Sequence, residues 1–147
     1  MEKVVIGRTD RADFPALGLS DIDVKIDTGA YTSSIHCNHI REEDNILRCT
    51  FLDPKHPEYN GKEMQFESYD ITAVKSSNGE IQYRYVVQSN IRLFGKVYKI
   101  SLTLSSREDM RFPVLIGRKF LTKKFTKISQ RLRHFLIFSC IIKTITH

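Results

Sequence analysis

The chain has 147 residues, 41% of them hydrophobic and 27% charged, which suits one soluble domain with a single apolar core. Its formal charge of +6 is localised: residues 119 to 147 hold seven Lys or Arg and no acid, and without them 16 basic residues face 17 acidic ones. A near-neutral body with no recognisable nucleic-acid module argues against nucleic-acid binding as the main role, and three cysteines without a C-x-x-C pair argue against a disulfide scaffold.

Only three apolar residues, Val4, Val5 and Ile6, stand near the start before the chain turns polar, too few for the apolar part of a signal peptide. The longest apolar run, Phe135 to Ile142, is broken by Ser139 and is far short of the ~20 residues a membrane helix needs. A cytoplasmic protein with no membrane partner is expected, its Cys37, Cys49 and Cys140 free thiols.

Ile22, Val24 and Ile26 alternate with Asp23 and Lys25, a strand running straight into Asp27. Ile46 to Phe51 and Phe66 to Val74 are two more candidate strands, with residues 53 to 63 a loop between them. Asn78-Gly79 predicts a hairpin turn, with Ile81, Tyr83, Tyr85 and Val87 on the return strand. A second hairpin is expected from Ile91 to Phe94 through a turn at Gly95-Lys96 and back along Val97 to Leu104. Phe112 to Ile116 is a short buried strand ended by Gly117, and Arg118 to Phe125 a short helix. Short strands with Gly-containing turns point to a mostly β barrel or sandwich.

The chemistry concentrates at Asp27-Thr28-Gly29-Ala30, at the end of an apolar strand. Taken alone, Asp-Thr-Gly also describes an ordinary β-turn. It gains meaning from Phe112-Pro113-Val114-Leu115-Ile116-Gly117-Arg118, a second apolar strand leading to Gly and a helix, with hairpins between the two. In this order the motifs resemble the two signatures of retropepsin-like domains. The resemblance narrows with Ile6-Gly7-Arg8, with Lys25-Ile26-Asp27-Thr28-Gly29-Ala30-Tyr31-Thr32-Ser33-Ser34-Ile35-His36, with Ser77-Asn78-Gly79 and Arg84, and with Leu102 to Arg107, Met110 and Pro113 to Arg118. Together these are similar to a bacterial retropepsin-like family labelled ATP-dependent zinc proteases, often encoded beside ATP-grasp peptide ligases.

That resemblance implies a closed acid-protease barrel with one short helix over residues 1–125, followed by a divergent basic and apolar tail, 126–147. It implies an aspartic endopeptidase with Asp27, Thr28 and Gly29 as the catalytic motif and no cofactor. With one Asp-Thr-Gly per chain, a pair of aspartates requires a homodimer. Ala30, Ser77, Asn78, Gly79, Arg84, Arg107 and Arg118 are the expected substrate-binding residues, Ser77 to Tyr83 forming a flap. If the three arginines converge, they suit an acidic peptide such as the glutamate-rich products of an ATP-grasp ligase; otherwise each makes a structural ion pair or sits on a solvated face. The ligase is the expected functional link.

The zinc in the family's label calls for ligands, and His36, Cys37 and His39 are the nearest set, with His56 further on. No H-E-x-x-H or P-loop motif is present. If residues 36 to 39 are extended, the two histidines face opposite ways. Past Lys124-Phe125 the family pattern is lost, which fits a frameshifted ending, a divergent strand that still pairs, or an exposed association segment. Three functions stay open: the dimeric aspartic endopeptidase, a peptide-binding module using the same groove without catalysis, and a zinc hydrolase.

Overall fold

A computed structural model describes residues 9–75, 78–106 and 111–122. Ser77, Arg107 and the tail from residue 126 lie outside these described residues, as does Cys140. Among the described residues there are nine strands: β1 (Thr9–Phe14), β2 (Leu19–Ile26), β3 (Ser33–Glu43), β4 (Ile46–Phe51), β5 (Glu63–Phe66), β6 (Asp70–Lys75), β7 (Ile81–Leu93), β8 (Lys96–Ser105) and β9 (Val114–Ile116). A short helix, α1, covers residues 118–122.

Six strands close into a ring in the order β3-β8-β7-β1-β2-β9 and back to β3. The mostly β barrel with one short helix is therefore present. Two of its contacts are parallel, β2 with β9 and β3 with β8, so the ring is not a simple meander. Closure matters because it leaves these strands no open edge. Strands β4 and β5 continue outward from the far half of β3, and β6 pairs with β7.

The core follows from the alternation. Leu19, Ile22, Val24 and Ile26 of β2 are each at most 3% exposed, and with Val114 and Ile116 of neighbouring β9 and Val87, Ile91 and Leu102 of β7 and β8 they form one core cluster. At roughly 25 cal/mol per Å² of apolar surface, each such side chain contributes about 1.5–3 kcal/mol on burial. Two-residue turns join the hairpins: Asp44 (φ 53°) and Asn45 (φ 62°) link β3 to β4, and Phe94 (φ 54°) and Gly95 (φ 79°) link β7 to β8. Paired positive φ values suit the right-handed strand twist of a hairpin.

Several expectations shift. The β7–β8 turn sits one residue earlier than Gly95-Lys96, because Lys96 already pairs with Leu93. The span Phe66 to Val74 is not one strand. Phe66 ends β5, pairing with Leu47 and packing edge-on against Phe51, while Tyr69 introduces β6 and packs against Tyr85. Each half thus serves a different sheet edge. Cys37 and Cys49 are buried free thiols on β3 and β4; a hydrogen bond between them, reinforced by burial, pushes the Cys37 thiol well above its ordinary pKa. No helix among the described residues is long and apolar enough to cross a membrane.

Candidate active site

Strand β2 delivers Asp27 to the end of the barrel, where the Asp27 N–H donates to the Ile116 carbonyl at 2.9 Å, extending the β2–β9 pairing by one bond. The chain then turns sharply. The Gly29 N–H donates to Asp27 Oδ1 at 3.0 Å and the Ala30 N–H to the Asp27 carbonyl at 3.2 Å. This is an Asx-type turn, in which a carboxylate oxygen substitutes for a backbone acceptor. It orients the carboxylate while leaving its other oxygen outside the turn. Asp27 is half-buried and Gly29 exposed, so the turn holds the group at the surface.

The loop from Asp27 to Thr32 is clamped by the β9–α1 corner. The Arg118 N–H donates to the Ala30 carbonyl at 2.8 Å and the Lys119 N–H to the Tyr31 carbonyl at 3.0 Å. Gly117 N–H donates to the buried Ser33 Oγ at 3.0 Å. Arg118 Nη1 reaches back to the Thr28 carbonyl at 3.1 Å, and its guanidinium lies 5.5 Å from the centre of the Tyr31 ring, a cation–π distance. Arg118 is thus brought to the Asp27 turn as a brace of its backbone.

The other expected site residues are placed differently. Asn78 and Gly79 are exposed at the tip of the β6–β7 hairpin, where Asn78 Oδ1 accepts from the Glu80 N–H and Gly79 has φ 89°. Arg84 lies near the start of β7 opposite Thr72, donating to Gln82 Oε1 at 3.2 Å. Ala30 stays in the clamped loop. His36 is 4% exposed, whereas His39 is exposed at a β-bulge with φ 54°. The two imidazoles occupy different environments. Among the described residues no three His, Cys, Asp or Glu side chains gather as metal ligands.

Ser33 carries a structural role that sequence reasoning missed. Replacing it with Ala strands the buried Gly117 N–H, an omission that costs about 1–3 kcal/mol. We expect a lower urea midpoint at unchanged slope for Ser33→Ala, measured by equilibrium unfolding.

The family model described as RimB-like, Retropepsin-like aspartic endopeptidase RimB, matches residues 5–129. Two curated proteins from Shewanella halifaxensis and Shewanella pealeana, each named probable alpha-L-glutamate ligase, are 36% identical over 126 residues, 83% of this chain. One of the same name from Desulfotalea psychrophila is 34% identical over 123 residues. The chain spans only 26–28% of the length of these relatives. A crystal structure of a Legionella pneumophila protein of unknown function (DUF785) superposes with a TM-score of 0.60 at 28% identity, covering 80% of this chain and 86% of that one.

Proposed function

The chain belongs to the RimB-like family of retropepsin-like aspartic endopeptidases, and from that premise we propose that it cleaves peptides with a pair of Asp27 carboxylates, one from each chain of a homodimer. The observation that carries this reading is the held carboxylate: Asp27 follows a buried strand, bonds back to Gly29 and sits half-exposed at the barrel end. One chain supplies one such group. A two-fold axis near the turn would set two of them face to face.

In this reading one carboxylate takes a proton from a water molecule as its oxygen attacks the scissile carbonyl. The other gives a proton to the carbonyl oxygen, forming a gem-diol. Collapse of that intermediate breaks the C–N bond as a proton passes to the leaving amine. No covalent bond to the protein forms. Arg118 acts on the geometry of the turn through Thr28, and the β6–β7 hairpin would close over the peptide as a flap. The flap carries exposed apolar side chains, Ile71, Ile81 and Tyr83, the last 76% exposed, suited to covering a bound chain or a second subunit.

The likeness to a segment of glutamate ligases supports an acidic, glutamate-rich peptide as substrate and a ligase as the functional link in the cytoplasm. A reading in which the groove binds such a peptide without cleaving it shares all of these contacts, so the number of chains decides between them. Sedimentation across a concentration series is expected to show twice the chain mass. A monomer at every concentration would leave each Asp27 alone and favour the binding module.

A further inference from the structure

Beside the Asp27 loop lies a cavity of about 430 Å³. Thr32 and Ser33, immediately after the Asp27 turn, form one wall; β6, β7 and β8 form the others, and Lys119 and Phe120 of α1 close the end. It therefore shares its wall with the loop that holds the candidate catalytic carboxylate.

The lining is graded. Val86 and Phe120 give it an apolar part, with Phe120, 6% exposed, edge-on against Tyr98. Lys99 and Lys119 are exposed at the lining, and among the described residues neither enters an ion pair. By contrast Arg11, Arg41, Arg48 and Arg92 are each engaged by a carboxylate. Hydroxyls of Thr72 and Ser101 line the space between, and Ser101 Oγ donates to Gln88 Oε1 at 2.8 Å, which leaves the Gln88 amide N–H groups as donors. Among the described residues Asp70 is the one carboxylate of the lining, against two lysines.

An aliphatic stem ending in an anionic head fits this gradient: methylenes over Val86 and Phe120, a carboxylate at the lysines, the Thr72 hydroxyl and the Gln88 amide. The volume exceeds what one side chain fills and lies in the range of ligand pockets. The geometry points to this cavity as the subsite that binds the glutamate side chains of an acidic peptide next to the scissile bond, with Lys99 and Lys119 as its specificity-determining residues. The inference rests on reading the chain as a peptide-handling domain.

The test pairs two measurements on full-length wild type and on Lys99→Gln and Lys119→Gln, singly and together. The first is cleavage of a glutamate-rich peptide against a neutral peptide of equal length. The second is calorimetric binding of tetra-L-glutamate to the same lysine variants in an Asp27→Asn background, where turnover is blocked. Loss of two charge-assisted contacts is expected to lower the acidic-to-neutral ratio of kcat/KM roughly tenfold, through KM, and to weaken tetraglutamate binding by a similar factor. Both lysines are exposed, so the variants should fold, and a thermal scan checks that.

If the wild type cleaves peptides and the lysine changes leave both the ratio and the binding untouched, the subsite is overturned while the peptidase reading stands. Tetraglutamate binding that depends on the lysines, with no peptide cleaved by any form, supports the subsite and removes the peptidase. Tight binding of inorganic phosphate with none of tetraglutamate overturns the inference in favour of a phosphate site.

Discussion

Changing Asp27 to Asn is expected to reduce peptide cleavage by at least ~10³-fold while the domain stays folded. The two halves of this expectation come from different atoms. Asn keeps an oxygen that can accept the Gly29 N–H, so the bond that shapes the turn survives. The Asp27 N–H still meets the Ile116 carbonyl, since that bond belongs to the backbone. What Asn lacks is a group that can take a proton from water and return it. Thermal unfolding should therefore resemble wild type, and only the rate of peptide hydrolysis should collapse. Retained cleavage would remove Asp27 from the mechanism. Subunit mixing sharpens the test, because an active site shared between two chains is spoiled by one altered subunit. Equilibrating wild type with an equal amount of Asp27→Asn protein should lower activity per wild-type chain to about half if random dimers form and only wild-type pairs cut. Activity unchanged on mixing, with exchange verified, would place the whole site in a single chain.

The parts of the site legible in the sequence are those where one strand carries the signal. Alternation along β2 led directly to Asp27, and Val114, Leu115 and Ile116 announced the buried strand beside it. Strand β3 was harder, because its buried positions include Ser33, Ser34 and His36, which look solvent-facing in a polarity pattern. Ser33 is inside because Gly117, 84 residues away, needs its hydroxyl. Strand β1 hid for a similar reason: in Thr9–Phe14 only Ala12 and Phe14 are buried, and the rest of the segment is polar. The lysine-lined cavity has no local signature at all. Lys99 and Lys119 line one cavity because β8 pairs with β3 in the ring while α1 clamps the loop before β3. The motifs leave open whether Arg84 and Arg118 meet; in the fold Arg84 donates to Gln82 Oε1 and Arg118 to the Thr28 carbonyl.

Gly117 is where these long-range demands become severe, and Gly117→Ala is expected to be among the most damaging single changes in the domain. A methyl group there would lie 2.5 Å from the Thr32 carbonyl oxygen, 2.7 Å from the Thr32 carbonyl carbon and 2.7 Å from the Tyr31 carbonyl oxygen. All three are backbone atoms, so no side chain can swing aside to relieve them. The corner must move off the loop, stretching the bonds from Arg118 to Ala30, from Lys119 to Tyr31 and from Gly117 to Ser33. Overpacking of this kind costs about 3 kcal/mol or more, which corresponds to a fall of roughly 10 °C or more in Tm for a domain of this size. Gly79→Ala supplies the comparison. It has positive φ (89°) but nothing within 4 Å of the added methyl, so only backbone strain is felt, about 1 kcal/mol. Differential scanning calorimetry of the two variants should therefore separate them clearly, with Gly117→Ala far below Gly79→Ala. Equal midpoints would mean that the β9–α1 corner does not press on the Asp27 loop as described. The same close approach links stability to chemistry: whatever lifts the corner also loosens the turn that aims Asp27, so any folded Gly117→Ala protein should lose activity beyond what its unfolded fraction explains.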